Sequence, residues 1–178
     1  MNAMWQDICK AHEKHPELYR EWLPLFEASN HKKNALRSID SLDELEAFMK
    51  MVPQGRFNLR LGRRGHKNIT TAILKKVVSA KRAGNIHGLE LHNHKKMSDS
   101  AFSLLTEAEH FDALKSLGFD SILSMRLDHV EALLAAPCAV SLETLSISHS
   151  LELGDQVVDA IHAAPHTKKL KTLKLSGV

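Results

Sequence analysis

At 178 residues, with 43% hydrophobic and 25% charged positions, the chain has the length and makeup of one globular unit, and its net charge of +3 excludes a strongly polyanionic or polycationic protein. It has no apolar run near the ~18 residues of a membrane span and no uninterrupted apolar stretch of signal-peptide kind near Met1, so the expectation is a cytoplasmic protein, or one exported by a non-Sec route, with no membrane partner. The two cysteines, Cys9 and Cys138, lie in different expected elements, which excludes a disulfide framework or zinc knuckle; both are read as packed, reduced thiols.

In chain order, residues 4–27 read as helical, with Trp5, Ile8, Leu18, Trp22, Leu25 and Phe26 as apolar content, interrupted by Pro16 and Pro24. Ser41-Leu42-Asp43-Glu44 has the form of a capping box opening a helix with Leu42, Leu45, Phe48 and Met49, which closes before Pro53. Residues 1–53 are therefore expected to form an α-helical N-terminal cap. Leu59 and Leu61 then mark a first strand. From there a pattern recurs every 28 residues: Ile86, Leu89, Leu91; Leu114, Leu117, Phe119; Leu142, Leu145, Ile147; and Leu170, Leu173, Leu175. In each triplet the last two residues are two apart and share one strand face.

Between the triplets, helices are expected near 69–82, 97–109, 126–136 and 154–164. Their apolar stripes repeat at the same step: Ile73, Ala101, His129, Val157; Leu74, Phe102, Val130, Val158; and Val77, Leu105, Leu133, Ile161. Ala135-Ala136-Pro137 and Ala163-Ala164-Pro165 end the last two, because proline has no amide to continue a helix. The fold class is thus α/β, a solenoid of parallel strands on a concave face and helices on a convex face, continuous over 54–178. The last strand precedes Val178 with no helix after it; self-association through this uncapped strand, a continuing array and a tolerated marginal end all stay open.

These L-x-x-L-x-L strands, each followed by a helix, resemble leucine-rich repeats of the ribonuclease-inhibitor type over about residues 54–178. Residues Arg64, His94, Ile122, Ser150 and Val178 stand where such repeats usually place Asn or Cys, so the usual loop ladder is not expected. Bacterial effectors and innate-immune receptors carry similar repeats, which implies a protein-binding role.

Strand residues facing away from the core form three rows. They are Gly88, Ser116, Thr144, Thr172; then Arg60, Glu90, Gly118, Ser146, Lys174; then Gly62, His92, Asp120, Ser148, Ser176. Arg60, Glu90, His92, Asp120, Ser146, Ser148 and Lys174 are the candidate binding residues of the concave face. His92, Asp120 and Ser148 do not read as a catalytic triad. Strands lie about 4.8 Å apart, which puts the aspartate in the middle, where a triad needs the imidazole.

His92 and His94 have ligand-like spacing but no evident third ligand, and no phosphate-binding loop occurs, so neither metal nor cofactor is expected. His129 and His162 fill helix positions that are apolar in sister units and read as partly buried histidines with local hydrogen bonds.

Charge is segregated along the chain. Residues 53–96 hold eleven Lys and Arg against Glu90 alone, whereas residues 97–164 hold eleven Asp and Glu against Lys115 and Arg126. Lys168, Lys169, Lys171 and Lys174 follow. Arg56, Arg63, Arg64, Lys67, Lys95 and Lys96 form the expected basic patch. The resulting expectation is a non-enzymatic scaffold binding another protein through the concave face or the basic first units, with nucleic-acid or anionic-surface binding through 56–96 as the alternative.

Overall fold

In the computed structural model the described residues are 37–39, 41–51, 56–62, 71–80, 83–92, 97–111, 113–150 and 152–178. Strands and helices alternate: β1 (Arg37–Ile39), α1 (Leu42–Met51), β2 (Phe57–Leu61), α2 (Thr71–Val78), β3 (Ile86–His92), α3 (Asp99–Thr106), β4 (Ser116–Asp120), α4 (Leu127–Ala135), β5 (Thr144–Ser148), α5 (Gln156–Ala163) and β6 (Thr172–Ser176). All six strands pair in parallel in the order β1-β2-β3-β4-β5-β6, and each helix packs on the next along one side of the sheet. This is an α/β array of the repeat kind that the 28-residue period implies.

The register follows the period. Leu89 pairs with Leu117, Leu117 with Leu145 and Leu145 with Leu173, so each apolar column becomes one continuous line through the core. The helix stripes join it, from Ile73, Leu74 and Val77 on α2 to Val157 and Ile161 on α5, all buried. Helices α4 and α5 end at Ala135 and Ala163, two residues before Pro137 and Pro165. Short turns of 3-10 helix, Pro137–Ala139 among them, lead into the following strands.

The structure departs from the sequence expectations in three places. Residues 37–51 are not purely helical: β1 pairs with β2 through Ile39 and Leu61, and α1 packs on α2, so this segment continues the array. The helix expected over 4–27 lies outside the described residues. Val158 and His162 are exposed on α5, although their counterparts Val130 and Leu134 are buried on α4, which α5 covers.

The third departure is the loop ladder, which has one rung among the described residues. The buried Ser150 donates its hydroxyl to the Ile122 carbonyl of the preceding unit at 3.3 Å. One step earlier Ser124 ties the loop after β4 to the loop after β3, accepting from the Met97 amide at 2.8 Å and donating to its carbonyl at 2.9 Å. Among the described residues, no helix is long and apolar enough to cross a membrane.

Candidate functional site

The open face of the sheet, opposite the helices, carries the three expected rows in register. Gly88, Ser116, Thr144 and Thr172 pair across it, as do Arg60, Glu90, Gly118, Ser146 and Lys174, and His92, Asp120, Ser148 and Ser176. Two glycines let long side chains lie flat. A Cβ on Gly88 would sit 2.6 Å from Asn58 Oδ1, and one on Gly118 would sit 3.0 Å from Glu90 Cγ.

Across this floor runs a chain of charges. The Arg60 guanidinium donates to Glu90 Oε2 from Nε at 2.9 Å and from Nη2 at 2.8 Å. The same oxygen faces His92 Nε2 at 3.0 Å, and His92 Nδ1 faces Asp120 Oδ2 at 3.1 Å. With a carboxylate at each ring nitrogen, His92 donates from both only as the imidazolium. Asp120 Oδ1 faces His149 Nδ1 at 2.9 Å and accepts from the Ser121 hydroxyl at 3.2 Å.

The hydrogen bond from His92, the strongest influence on Glu90, combines with Arg60 to outweigh burial and hold the Glu90 carboxyl below the ordinary range. At Asp120 burial pushes the carboxyl up, but the His149 hydrogen bond and the His92 charge together hold it below. The network therefore keeps two carboxylates ionised on a partly dry surface.

Asp120 stands between two imidazoles rather than beside one that could relay a proton to Ser148, so the row does not have the order of a triad. His149 enters from the turn after β5 and occupies the left-handed region at φ 56°, as Ser121 does at φ 61° in the turn after β4. Such a conformation costs a non-glycine residue about 1–2 kcal/mol, and here the turn aims the His149 ring at Asp120. Sequence reasoning missed His149. The available signal was its column, in which Gly177 takes the same conformation at φ 62°.

Of the expected basic patch, Arg56 lies among the described residues and is exposed. Arg60 is paired with Glu90 and Lys76 with Glu46 at 3.2 Å, while Arg63, Arg64, Lys67, Lys95 and Lys96 lie outside the described residues. Ser146 and Ser148 are half-buried and Lys174 exposed on the open face. Among the described residues no set of three His, Cys, Asp or Glu side chains is placed to hold a metal ion.

His129 and Cys138 belong to the frame. The His129 ring stacks on Phe102 at 3.9 Å, and its Nδ1 accepts the Arg126 amide, which makes it the Nε2-H tautomer and a donor to Asp99 Oδ1 at 3.1 Å. Cys138 is buried, and that burial pushes its thiol up to about 11. Alkylation of Cys138 at neutral pH should therefore run roughly 100-fold slower in the folded protein than after denaturation. Peptide mapping after iodoacetamide treatment separates it from Cys9, and equal rates in both states would contradict the packing.

No family model matches the chain, and no curated protein or solved structure matches it either.

Proposed function

We propose that the chain is a leucine-rich-repeat-type scaffold, non-enzymatic, that binds another protein through the concave open face of its sheet. The carrying observation is the network Arg60, Glu90, His92, Asp120 and His149, which spreads fixed donors and acceptors across four neighbouring units. A rigid surface of this kind can read a polar partner without large ordering losses. The face lacks aromatic side chains in its rows, so recognition rests on charge and hydrogen bonding rather than on a Trp and Tyr cluster. For the alternative, anionic-surface or nucleic-acid binding through 56–96, the segment supplies Phe57 alone among Phe, Tyr and Trp for stacking, which makes it the weaker reading.

The test is affinity capture with mass-spectrometric identification, using wild type, the double variant Ser146→Arg and Ser148→Arg, and Glu131→Arg on the exposed side of α4. Partner recovery should fall about tenfold or more for the open-face variant and stay unchanged for the helix-side variant. Equal recovery from all three removes the open face from the proposal.

A further inference from the structure

Strand β6 stands at one end of the sheet and pairs with β5 alone among the described residues. Its backbone alternates. The Thr172 amide donates to the Glu143 carbonyl at 3.0 Å and the Ser176 carbonyl accepts from the His149 amide at 2.7 Å, so these residues turn their main-chain groups toward β5. Alternation along the strand turns those of Leu173 and Leu175 outward, to an edge that none of the described strands covers.

The side chains at this edge are apolar on one side and basic on the other. Leu173 is 41% exposed and Leu175 half-buried, whereas Leu145 and Ile147, their partners in register on β5, are buried. Val158 on α5, the helix before β6, is 50% exposed. Between the two leucines Lys174 points to the opposite side of the strand, exposed and without an ion pair among the described residues. Lys168, Lys169 and Lys171 are exposed just before the strand, and among the described residues Lys171 alone of the three meets a carboxylate, Glu143 Oε2 at 2.7 Å.

We infer that the free edge of β6 takes one extended strand of a partner protein, in which a carboxylate stands between two apolar residues. Main-chain hydrogen bonds to Leu173 and Leu175 hold such a strand, and alternate side chains select it. The sheet's own pairing supplies the rule. In two places a cation of one unit meets a carboxylate of the next: Arg60 faces Glu90 at 2.8 Å, and Glu143 is held between Lys115 at 2.8 Å and Lys171 at 2.7 Å. Carried one step beyond β6, the same rule sets an acid opposite Lys174 and apolar side chains beside Leu173 and Leu175. A second copy fits poorly, because antiparallel pairing of two β6 strands over their full length sets Lys174 against Lys174. This surface is the edge of the sheet, apart from the open face on which the proposed function rests.

The test is NMR of the backbone amides of the full chain during titration with the capped peptide acetyl-Glu-Thr-Leu-Glu-Leu-Ser-Gly-amide, which is segment 171–177 with both lysines replaced by glutamate, and with its parent acetyl-Lys-Thr-Leu-Lys-Leu-Ser-Gly-amide. The glutamate peptide should shift the Leu173 and Leu175 amides saturably and slow their exchange with solvent, leaving those of Leu145 and Ile147 unmoved. Lys174→Glu should weaken that binding about fivefold and strengthen binding of the lysine peptide by a similar factor, while Glu131→Arg on α4 leaves both unchanged. A reversed preference is an outcome that loss of folding does not imitate. Leu173 and Leu175 amides that stay unmoved by the glutamate peptide overturn the site, as does the wild-type preference in Lys174→Glu. Equal or tighter binding of the lysine peptide by the wild type, or dimers of the chain in sedimentation under the same conditions, overturns the acidic partner in favour of a second copy. Because the titration needs no partner, its failure is separate from failure of the capture experiment.

Discussion

Phe119→Ala lowers the free energy of unfolding by about 3–5 kcal/mol, measured by urea denaturation with a two-state fit. The Phe119 side chain is 2% exposed and its ring lies 6.5 Å from that of Phe102, which in turn stacks on His129, so truncation opens a void where strand and helix columns meet. The control is Leu173→Ala. Leu173 belongs to the column of Leu117 and Leu145 but is 41% exposed on β6, against 2% for both of those. Its truncation leaves no enclosed cavity and should cost below about 1 kcal/mol. Similar losses for the two variants would mean that the columns do not pack as described.

Asp120→Asn should destabilise the protein by about 1–3 kcal/mol at pH 7, because the carboxylate that receives His92, His149 and Ser121 is replaced by a group that accepts at one atom only. The loss depends on pH with a definite sign. Glu90 and Asp120 have folded values below their ordinary ones, so their stabilisation is complete above the unfolded carboxylate range, near pH 4, and disappears as pH falls through the lowered folded values. Glu143, hydrogen-bonded first by Lys115 and then by Lys171, is lowered to about 2 and extends the window downward. Wild type should therefore weaken between about pH 4.5 and pH 2, and its advantage over Asp120→Asn should narrow across that interval. Thermal melts of both proteins at pH 7, 5 and 3 read this directly. An undiminished gap at pH 3 would show that the Asp120 carboxylate does not act through its charge.

Most of the array was legible because burial in a stacked fold repeats with the chain. Leu89, Leu117 and Leu145 recur at 28 residues, and so do their partners on the helices, so one spacing orders strands, helices and core together. Strand β1 escaped the pattern. It has three residues, and Ile39 pairs with Leu61 across 22 positions rather than 28, so no period announces it. The rows of the open face were also readable, since alternation along a strand assigns each residue a side.

The site was legible in part. Arg60, Glu90, His92 and Asp120 follow from strand alternation, but their union into one network depends on side-chain reach across neighbouring strands, which spacing does not encode. His149 joins them only because the turn after β5 adopts a left-handed conformation at that residue. The pairing of Arg60 and Lys76 with Glu90 and Glu46 from other units is likewise not encoded in the segregation of charge along the chain.

The sequence by itself determined the repeating α/β order, the register of the columns and the side of the sheet on which each polar residue stands, all of which follow from periodic burial of apolar side chains. Tertiary structure alone decided which charges are neutralised, that Leu173 and Val158 stay exposed while their counterparts are buried, and that His87 Nε2 is buried with no hydrogen-bond partner among the described residues. The physical reason is one of range. Periodic burial is a local property carried by every unit, whereas pairing, exposure and orphaned polar atoms depend on which neighbour arrives across the sheet.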